Sequence, residues 1–400
     1  MSSSPIPLLI VEDDPVFARF VRQLVLSLGP ELLCAPHWAD NASKALAELS
    51  AGRYELVLLD YNLPDGDGLQ VLAKIHDLPL AQQPAVIMLT ASGNEAVAVE
   101  AMKRGAQDYL GKAGLEALPL LRALQTALTQ KRLAAQVAAY HAQIEADLQM
   151  ARHLQLSLLP DRYPDFPPTG LTGQSNLRFC HRFLPAAQLA GDFFSVLSLS
   201  GTQAGLFICD VMGHGVRSAL VTAMLRALVD DIAPRRSDPG QFLAEMNRRL
   251  LGLLKQTEAP LFATAFYLIA DLTAGEMRYA SAGHPRPLHL QRLTSTVAPL
   301  PLPAHAGPAL GLFADAKYIT AQSPLAAGDI LLLFTDGLFE VANAAGQEYF
   351  GQERLLETAR CHRQLPLEKL LDELIGTVRA FSGGAEFGDD ICLLGMERVS

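Results

Sequence analysis

The chain has 400 residues, with 32 Lys and Arg against 42 Asp and Glu for a formal charge of −10, and half of it is hydrophobic against 18% charged. That composition excludes a disordered chain, which needs low hydrophobicity to stay unfolded, and the length excludes a single small domain in favour of two or three. Phosphate neutralisation needs clustered Lys and Arg, and no basic run exceeds Pro234-Arg235-Arg236, so no nucleic acid is expected as a partner.

The five cysteines (34, 180, 209, 361 and 392) form no CxxC pair and are odd in number, so they read as reduced thiols. The N-terminal stretch lacks a basic n-region, and its first apolar run meets Glu12 within a few residues, so no signal peptide is expected. Later apolar stretches such as 261–270 fall short of the roughly 20 residues that span a bilayer. The expectation is a cytoplasmic protein with no membrane association.

Residues 8–11, 56–59 and 85–89 are continuously apolar, separated by segments with helical spacing. Continuous rather than alternating runs imply strands buried on both faces, hence a doubly wound, flavodoxin-like α/β domain with a parallel sheet. The runs end in Glu12-Asp13-Asp14, Asp60 and Thr90. Ligands of such sheets sit at the carboxyl ends of the strands, so these ends should converge. Crowded carboxylates raise one another's pKa unless a cation shares their charge, and an oxygen-only cluster suits Mg²⁺. Asp60 then reads as a carboxylate nucleophile; a phosphoryl group on it needs a metal, a hydroxyl and a cation, and Thr90 and Lys112 supply the last two. Taken singly, each acid reads more readily as a helix cap or a solvated turn than as part of such a site.

Taken together, Val-Glu-Asp-Asp, Leu-Leu-Asp-Tyr-Asn-Leu-Pro-Asp-Gly, Leu-Thr-Ala and Asp-Tyr-Leu-Gly-Lys over about residues 6–128 resemble the receiver domain of two-component response regulators. The resemblance implies Asp60 as phosphoacceptor, Glu12, Asp13, Asp60 and the Asn62 carbonyl around Mg²⁺, and Thr90 with Tyr109 as a switch pair. It also implies a sensor histidine kinase as phosphodonor. Ala113 stands where the family usually carries a proline.

From 115 to 159 there is no glycine, and Leu133, Val137, Tyr140, Ile144, Leu148, Ala151, Leu154 and Leu158 recur at spacings of three and four. That stripe predicts a long helix whose apolar seam packs either on a second copy, giving a homodimer, or on its own chain. Leu159-Pro160 ends it, and a Pro-rich run over 163–168 leads into the next domain. The expected boundaries are 1–128 for the receiver, 129–160 for a helical linker with coiled-coil character, and 161–400 for the output domain.

That last segment mixes strand-like runs (204–209, 261–270, 330–334) with helical ones (216–231, 241–255, 367–381), which predicts α+β layers. Four times an Asp sits beside a Gly-containing turn: Asp192 after Gly191, Asp210 before Gly213, Asp336 before Gly337, and Asp389-Asp390 after Gly388. If these ends meet, they form an all-oxygen site that suits only hard divalent cations, Mg²⁺ or Mn²⁺, since no His/Cys set at zinc spacing accompanies it. Two such ions about 3.5 to 4 Å apart would acidify a water and clamp a phosphoryl oxygen, with no side-chain nucleophile required.

With Ala151-Arg152-His153-Leu154-Gln155-Leu156-Ser157-Leu158-Leu159-Pro160 and Ser281-Ala282-Gly283-His284-Pro285, the set resembles the SpoIIE-like branch of the metal-dependent PPM (PP2C) serine/threonine phosphatases, over about residues 150–397. The resemblance implies a layered β-sandwich in which Asp210 bridges two Mn²⁺ or Mg²⁺ ions with the Val211 carbonyl, Asp336 and Asp389 complete the coordination, and Asp192 holds a further ion or its water. Asp390 is the less certain neighbour, and His214 and His284 are given hydrogen-bonding rather than catalytic roles. By the same resemblance the enzyme removes phosphate from phosphoserine or phosphothreonine in a partner, a STAS-domain anti-sigma-factor antagonist. The receiver-helix-PPM order also resembles an adaptor that delivers the stationary-phase sigma factor to a Clp protease. An adaptor has no need of all four aspartates, which favours the enzyme.

Overall fold

The computed structural model describes residues 5–29, 32, 34–52, 54–91, 95–167, 175–213, 215–235, 237–255, 261–304 and 306–399. The chain forms two units, Met1–Glu145 and Ala146–Ser400.

The N-terminal unit alternates strand and helix: β1 (Ile6–Val11), α1 (Pro15–Leu26), β2 (Cys34–Ala39), α2 (Ala42–Ser50), β3 (Leu56–Asp60), β4 (Asn62–Leu63), β5 (Gly66–Asp67), α3 (Gly68–His76), β6 (Ala85–Thr90), α4 (Glu95–Lys103), β7 (Asp108–Gly111) and α5 (Ala117–Ser157). Five strands form a parallel sheet in the order β2-β1-β3-β6-β7. The three continuously apolar runs are its central strands, and alternate residues serve opposite faces. Leu8, Ile10, Leu58 and Ile87 join a core with α1 and α5, whereas Leu9, Val11, Val57 and Met88 join one with α2 and α3. This is why these strands read as unbroken rather than alternating. The edges, β2 and β7, escaped the sequence reading. β2 carries Pro36, tolerated at an edge, and exposes His37 and Trp38.

The first turns of α5 bury Leu120, Ala123, Leu124, Ala127 and Leu128 in the N-terminal core. Further along, Leu133, Val137, Tyr140, Ile144 and Leu154 are exposed.

The C-terminal unit contains β8 (Leu177–Leu184), β9 (Asp192–Ser198), β10 (Gln203–Val211), α6 (Val216–Ile232), α7 (Pro239–Leu254), β11 (Ala263–Asp271), β12 (Glu276–Ala282), β13 (Leu288–Gln291), β14 (Thr296–Pro299), β15 (Ala321–Pro324), β16 (Ile330–Phe334), α8 (Gly351–Cys361), α9 (Leu367–Phe381) and β17 (Ile391–Arg398). Two antiparallel sheets, β15-β12-β11-β10-β9 and β14-β13-β16-β17-β8, pack face to face. Leu206, Ile208, Phe266 and Leu268 of one sheet meet Leu331, Leu333, Cys392 and Leu394 of the other. The alternate residues Phe207, Cys209 and Val211 pack under α6 and α7, and Ile330, Leu332, Ile391 and Leu393 under α8 and α9. The strands β10, β11, β16 and β17 are thus apolar on both faces, and the result is a helix-sheet-sheet-helix sandwich. No helix among the described residues is long and apolar enough to cross a membrane.

Candidate functional site

In the N-terminal unit the acids gather at the carboxyl ends of β1 and β3. One ligand atom each from Glu12, Asp13 and Asp60 lies within 4.8 Å of the other two. Glu12 and Asp60 are buried, and Asp13 is exposed. Lys112, after β7, reaches both buried acids, its Nζ 2.7 Å from Glu12 Oε2 and 2.8 Å from Asp60 Oδ2. Burial pushes both carboxyls above their usual range, against the downward pull of the Lys112 bonds. For Lys112, burial works against the ammonium, but the bonds to Asp60 and Glu12 prevail and raise its pKa. Asp14 plays a different part: its Oδ1 accepts from the Val16 amide at 2.8 Å and caps α1. Thr90 is buried, and its carbonyl accepts from the Lys112 amide at 2.8 Å. The Asn62 amide donates to the Asp60 carboxylate, while the Asn62 and Tyr109 side chains are exposed. Three acid oxygens in so small a space fit a hard divalent cation such as Mg²⁺.

In the C-terminal unit the two sheets deliver their aspartates to one end of the sandwich. Asp192 opens β9 and pairs in register with Asp210 of β10. Asp336 follows β16, and Asp389 precedes β17. Hydrogen bonds between the sheets hold the two pairs together. Thr335 Oγ1 donates to Asp192 Oδ2 at 2.6 Å while accepting from the Cys392 amide at 2.9 Å. Asp390 accepts from the Ala186 and Gly191 amides at 2.8 and 2.6 Å, so its oxygens brace the loop that presents Asp192. Gly191 is required there: a Cβ would stand 2.7 Å from the Val211 carbonyl oxygen. Gly337 is equally constrained, its Cβ position lying 2.0 Å from the Asp390 carbonyl oxygen.

These acids form one electrostatic group. Burial, then the charges of Asp336, Asp389 and Asp390, pushes the Asp210 carboxyl up to about 7. Burial and Asp210 push Asp192 well above the carboxylate range, and burial and Asp389 raise Asp336. Glu340, which sequence reasoning missed, is raised by burial and then by Asp336 and Asp389. Among the described residues no three acids of this unit lie within 4.8 Å of one another. Three carboxylates on one ion sit closer than that, so these side chains would have to draw in around any ion they share. The all-oxygen set and the mutual repulsion that a cation would relieve fit hard divalent ions.

The end of α5 is tied to this site. Gln155 Nε2 donates to the Ala190 carbonyl at 2.7 Å, and its Oε1 accepts from the Ala190 amide at 2.9 Å, two residues before Asp192. The same Nε2 lies 3.3 Å from Thr222 Oγ1 of α6. Arg226, also on α6, donates to the Leu158 carbonyl and to Ser195 Oγ, both at 3.3 Å. Sequence reasoning placed Gln155 within a motif but gave it no role. His284 is buried beside Thr264 Oγ1 at 2.8 Å, and burial depresses it to about 3, so it is neutral at ordinary pH. His214 lies outside the described residues.

Comparison with known proteins follows the same division. Residues 8–125 match the response regulator receiver domain. Residues 200–399, half of the chain, match the family described as stage II sporulation protein E (SpoIIE). The chain belongs to the SpoIIE family. The phosphoserine phosphatase RsbP of Bacillus subtilis (strain 168) is 26% identical over 218 residues, covering 52% of this chain and 49% of RsbP. The phosphoserine phosphatase RsbU of the same organism is 24% identical over 257 residues, covering 64% of this chain and 71% of RsbU. The match thus spans about half the length of the first of these relatives. The solved SiaA-PP2C domain of Pseudomonas aeruginosa superposes with a TM-score of 0.54 at 24% identity, covering 65% of this chain and 99% of that one. The sandwich of this SpoIIE-family member therefore has the PP2C fold, and the aspartates lie at its strand ends.

Proposed function

We propose that the chain is a two-component response regulator whose output is metal-dependent dephosphorylation of phosphoserine or phosphothreonine in a partner protein. In this reading residues 1–128 are the receiver, 129–160 the linker and 161–400 the phosphatase. The observation that carries it is the convergence of Asp192, Asp210, Asp336 and Asp389 from two sheets at one end of the sandwich, each pair pinned to the other by Thr335 and Asp390. RsbP and RsbU, both phosphoserine phosphatases by name, support the reaction class.

Asp192, Asp210, Asp336, Asp389 and the Val211 carbonyl would hold two Mn²⁺ or Mg²⁺ ions, which when bound supply an acidified water and positive charge for the phosphoryl oxygens. The chain's own part is to keep those oxygens fixed. Thr335 orients Asp192, Asp390 braces the Gly191 loop, and Gln155 holds Ala190 by both backbone groups. In the receiver, an Asp60 oxygen would bond to phosphorus as the bond to a sensor kinase's histidine nitrogen breaks. Lys112 and Thr90 would stabilise the phosphoryl oxygens, with Mg²⁺ held by Glu12, Asp13, Asp60 and the Asn62 carbonyl. The helix α5 is buried in the receiver core at Leu120–Leu128, and its other end clamps Ala190 at Gln155, so one helix contributes residues to both units. Its exposed stripe from Leu133 to Leu154 fits a second copy of the chain, which makes the protein a homodimer. In this reading the substrate is a phosphorylated STAS-domain anti-sigma-factor antagonist, and the output is thereby sigma-factor control.

Hydrolysis of a phosphomonoester by the full chain with Mn²⁺ tests the reading. Wild type turns over and Asp210→Asn does not; inactivity of both would favour the binding adaptor instead. The receiver assignment is tested by beryllofluoride, which wild type takes up and Asp60→Ala does not.

A further inference from the structure

We propose that an open groove of about 800 Å³ in the C-terminal unit docks an acidic, phosphoserine-bearing segment of the partner protein. This rests on the phosphatase reading and names how that site selects its substrate. The groove is walled by Arg152 of α5, Arg379 of α9, Ala186 before β9, and Glu386 and Phe387 before β17.

It opens beside the acidic site. The Ala186 amide is bonded to Asp390, and Phe387 stands two residues before Asp389. Both guanidiniums are exposed, and among the described residues neither is held in an ion pair. Each is nonetheless positioned. Arg379 lies over the Phe387 ring, 5.6 Å from its centroid. Arg152 is three residues, close to one helical turn, before Gln155, whose amide anchors that end of α5 to Ala190.

The groove is charged opposite to the rest of the molecule. The chain carries −10 overall, and the neighbouring site gathers Asp192, Asp210, Asp336, Asp389 and Glu340. Ions at the site would draw in the phosphoserine itself, but acidic residues flanking it still face a chain of net negative charge, and a local reversal of sign favours their binding. The groove supplies it, with two guanidiniums against the single carboxylate of Glu386. The guanidinium fork matches carboxylate and phosphate oxygens, and charge complementarity of this kind sets specificity and encounter rate.

The test compares two synthetic phosphoserine peptides, one flanked by Asp and Glu and one by Ser and Gly, with the full chain in Mn²⁺. Because each variant is judged by the ratio of its kcat/KM values for the two peptides, any general loss of turnover cancels. Wild type should prefer the acidic peptide by about tenfold, mainly through KM, and the preference should shrink with added salt. Arg152→Gln with Arg379→Gln should bring the ratio close to one, and Arg152→Glu with Arg379→Glu should invert it. Absence of a preference in wild type, or its survival in both double variants, overturns the proposal while leaving the phosphatase reading intact. If wild type hydrolyses neither peptide nor p-nitrophenyl phosphate, the phosphatase reading fails. The groove is then judged by fluorescence anisotropy of the labelled acidic peptide at low salt: weaker binding by the double variants upholds it, and equal binding overturns it.

Discussion

Asp210 is the residue whose removal should stabilise the metal-free protein. Its carboxyl stands at about 7 in the folded chain against 3.8 ordinarily, because burial and the charges of Asp336, Asp389 and Asp390 oppose ionisation. Between those two values the unfolded chain has released the proton and the folded chain still holds it, so stability falls as pH rises from about 4 to 7 and stays low above that. At roughly 1.4 kcal/mol per unit the penalty reaches at most about 4 kcal/mol, part of it shared with Asp192 and Asp336, which titrate with it. The carboxamide of the Asp210→Asn variant carries no charge at any pH. In chelator at pH 8, that variant should therefore melt above wild type, by up to about 8 to 16 °C for a unit of this size. At pH 4.5, about 0.7 unit above the ordinary value, the gap should shrink to about a quarter of that. Scanning calorimetry of the full chain, following the C-terminal transition, reads both values, and saturating Mn²⁺ should raise the wild-type transition far more than that of the variant. An Asn variant no more stable than wild type at pH 8, or a gap of equal size at pH 4.5, would refute the argument that these acids share one repulsive cage.

Gln155→Ala removes both bonds to Ala190, and calorimetric titration should show about tenfold weaker Mn²⁺ binding, with Gln155→Glu in between because it keeps only the acceptor for the Ala190 amide. Unchanged affinity in both would mean that the clamp does not position the site. Gly337→Ala drives a Cβ to 2.0 Å from the Asp390 carbonyl, so the C-terminal transition in a thermal melt should fall by an amount equivalent to about 1 to 3 kcal/mol. An unshifted melt contradicts that contact. Leu133→Glu with Ile144→Glu places charge on two exposed positions of the α5 stripe and should convert a dimer into a monomer by light scattering, whereas an unchanged mass would mean that another surface joins the copies.

Much of the architecture could be read from residue order because burial leaves a direct trace. β1, β3, β6 and β16 are apolar on both faces, and unbroken runs such as Leu56–Leu59 and Ile330–Phe334 announce that. Edge strands leave no such trace: Cys34–Ala39 includes Pro36 and the exposed Trp38, and Asp108–Gly111 reads as a turn. In the site, the aspartates stood out through their adjacent glycines, and the close approaches at Gly191 and Gly337 give the physical reason for those glycines. What holds the aspartates did not stand out. Thr335, Asp390 and Gln155 act through hydrogen bonds to residues 143, 199 and 35 positions away, and nothing local in the chain marks such partners. Glu340 was missed for a different reason: it lies only four residues from Asp336, has no adjacent glycine, and enters the acidic field only because the turn after Asp336 folds back.

If the reading is right, four aspartates from two sheets make one cage for a pair of ions. Electron paramagnetic resonance of the Mn²⁺-loaded Asp60→Ala chain, in which the receiver site is impaired, addresses it directly. The expected spectrum is that of two coupled Mn²⁺ ions, abolished by Asp210→Asn. A spectrum of isolated Mn²⁺ alone, or a coupled pair that survives loss of the Asp210 carboxylate, would contradict it.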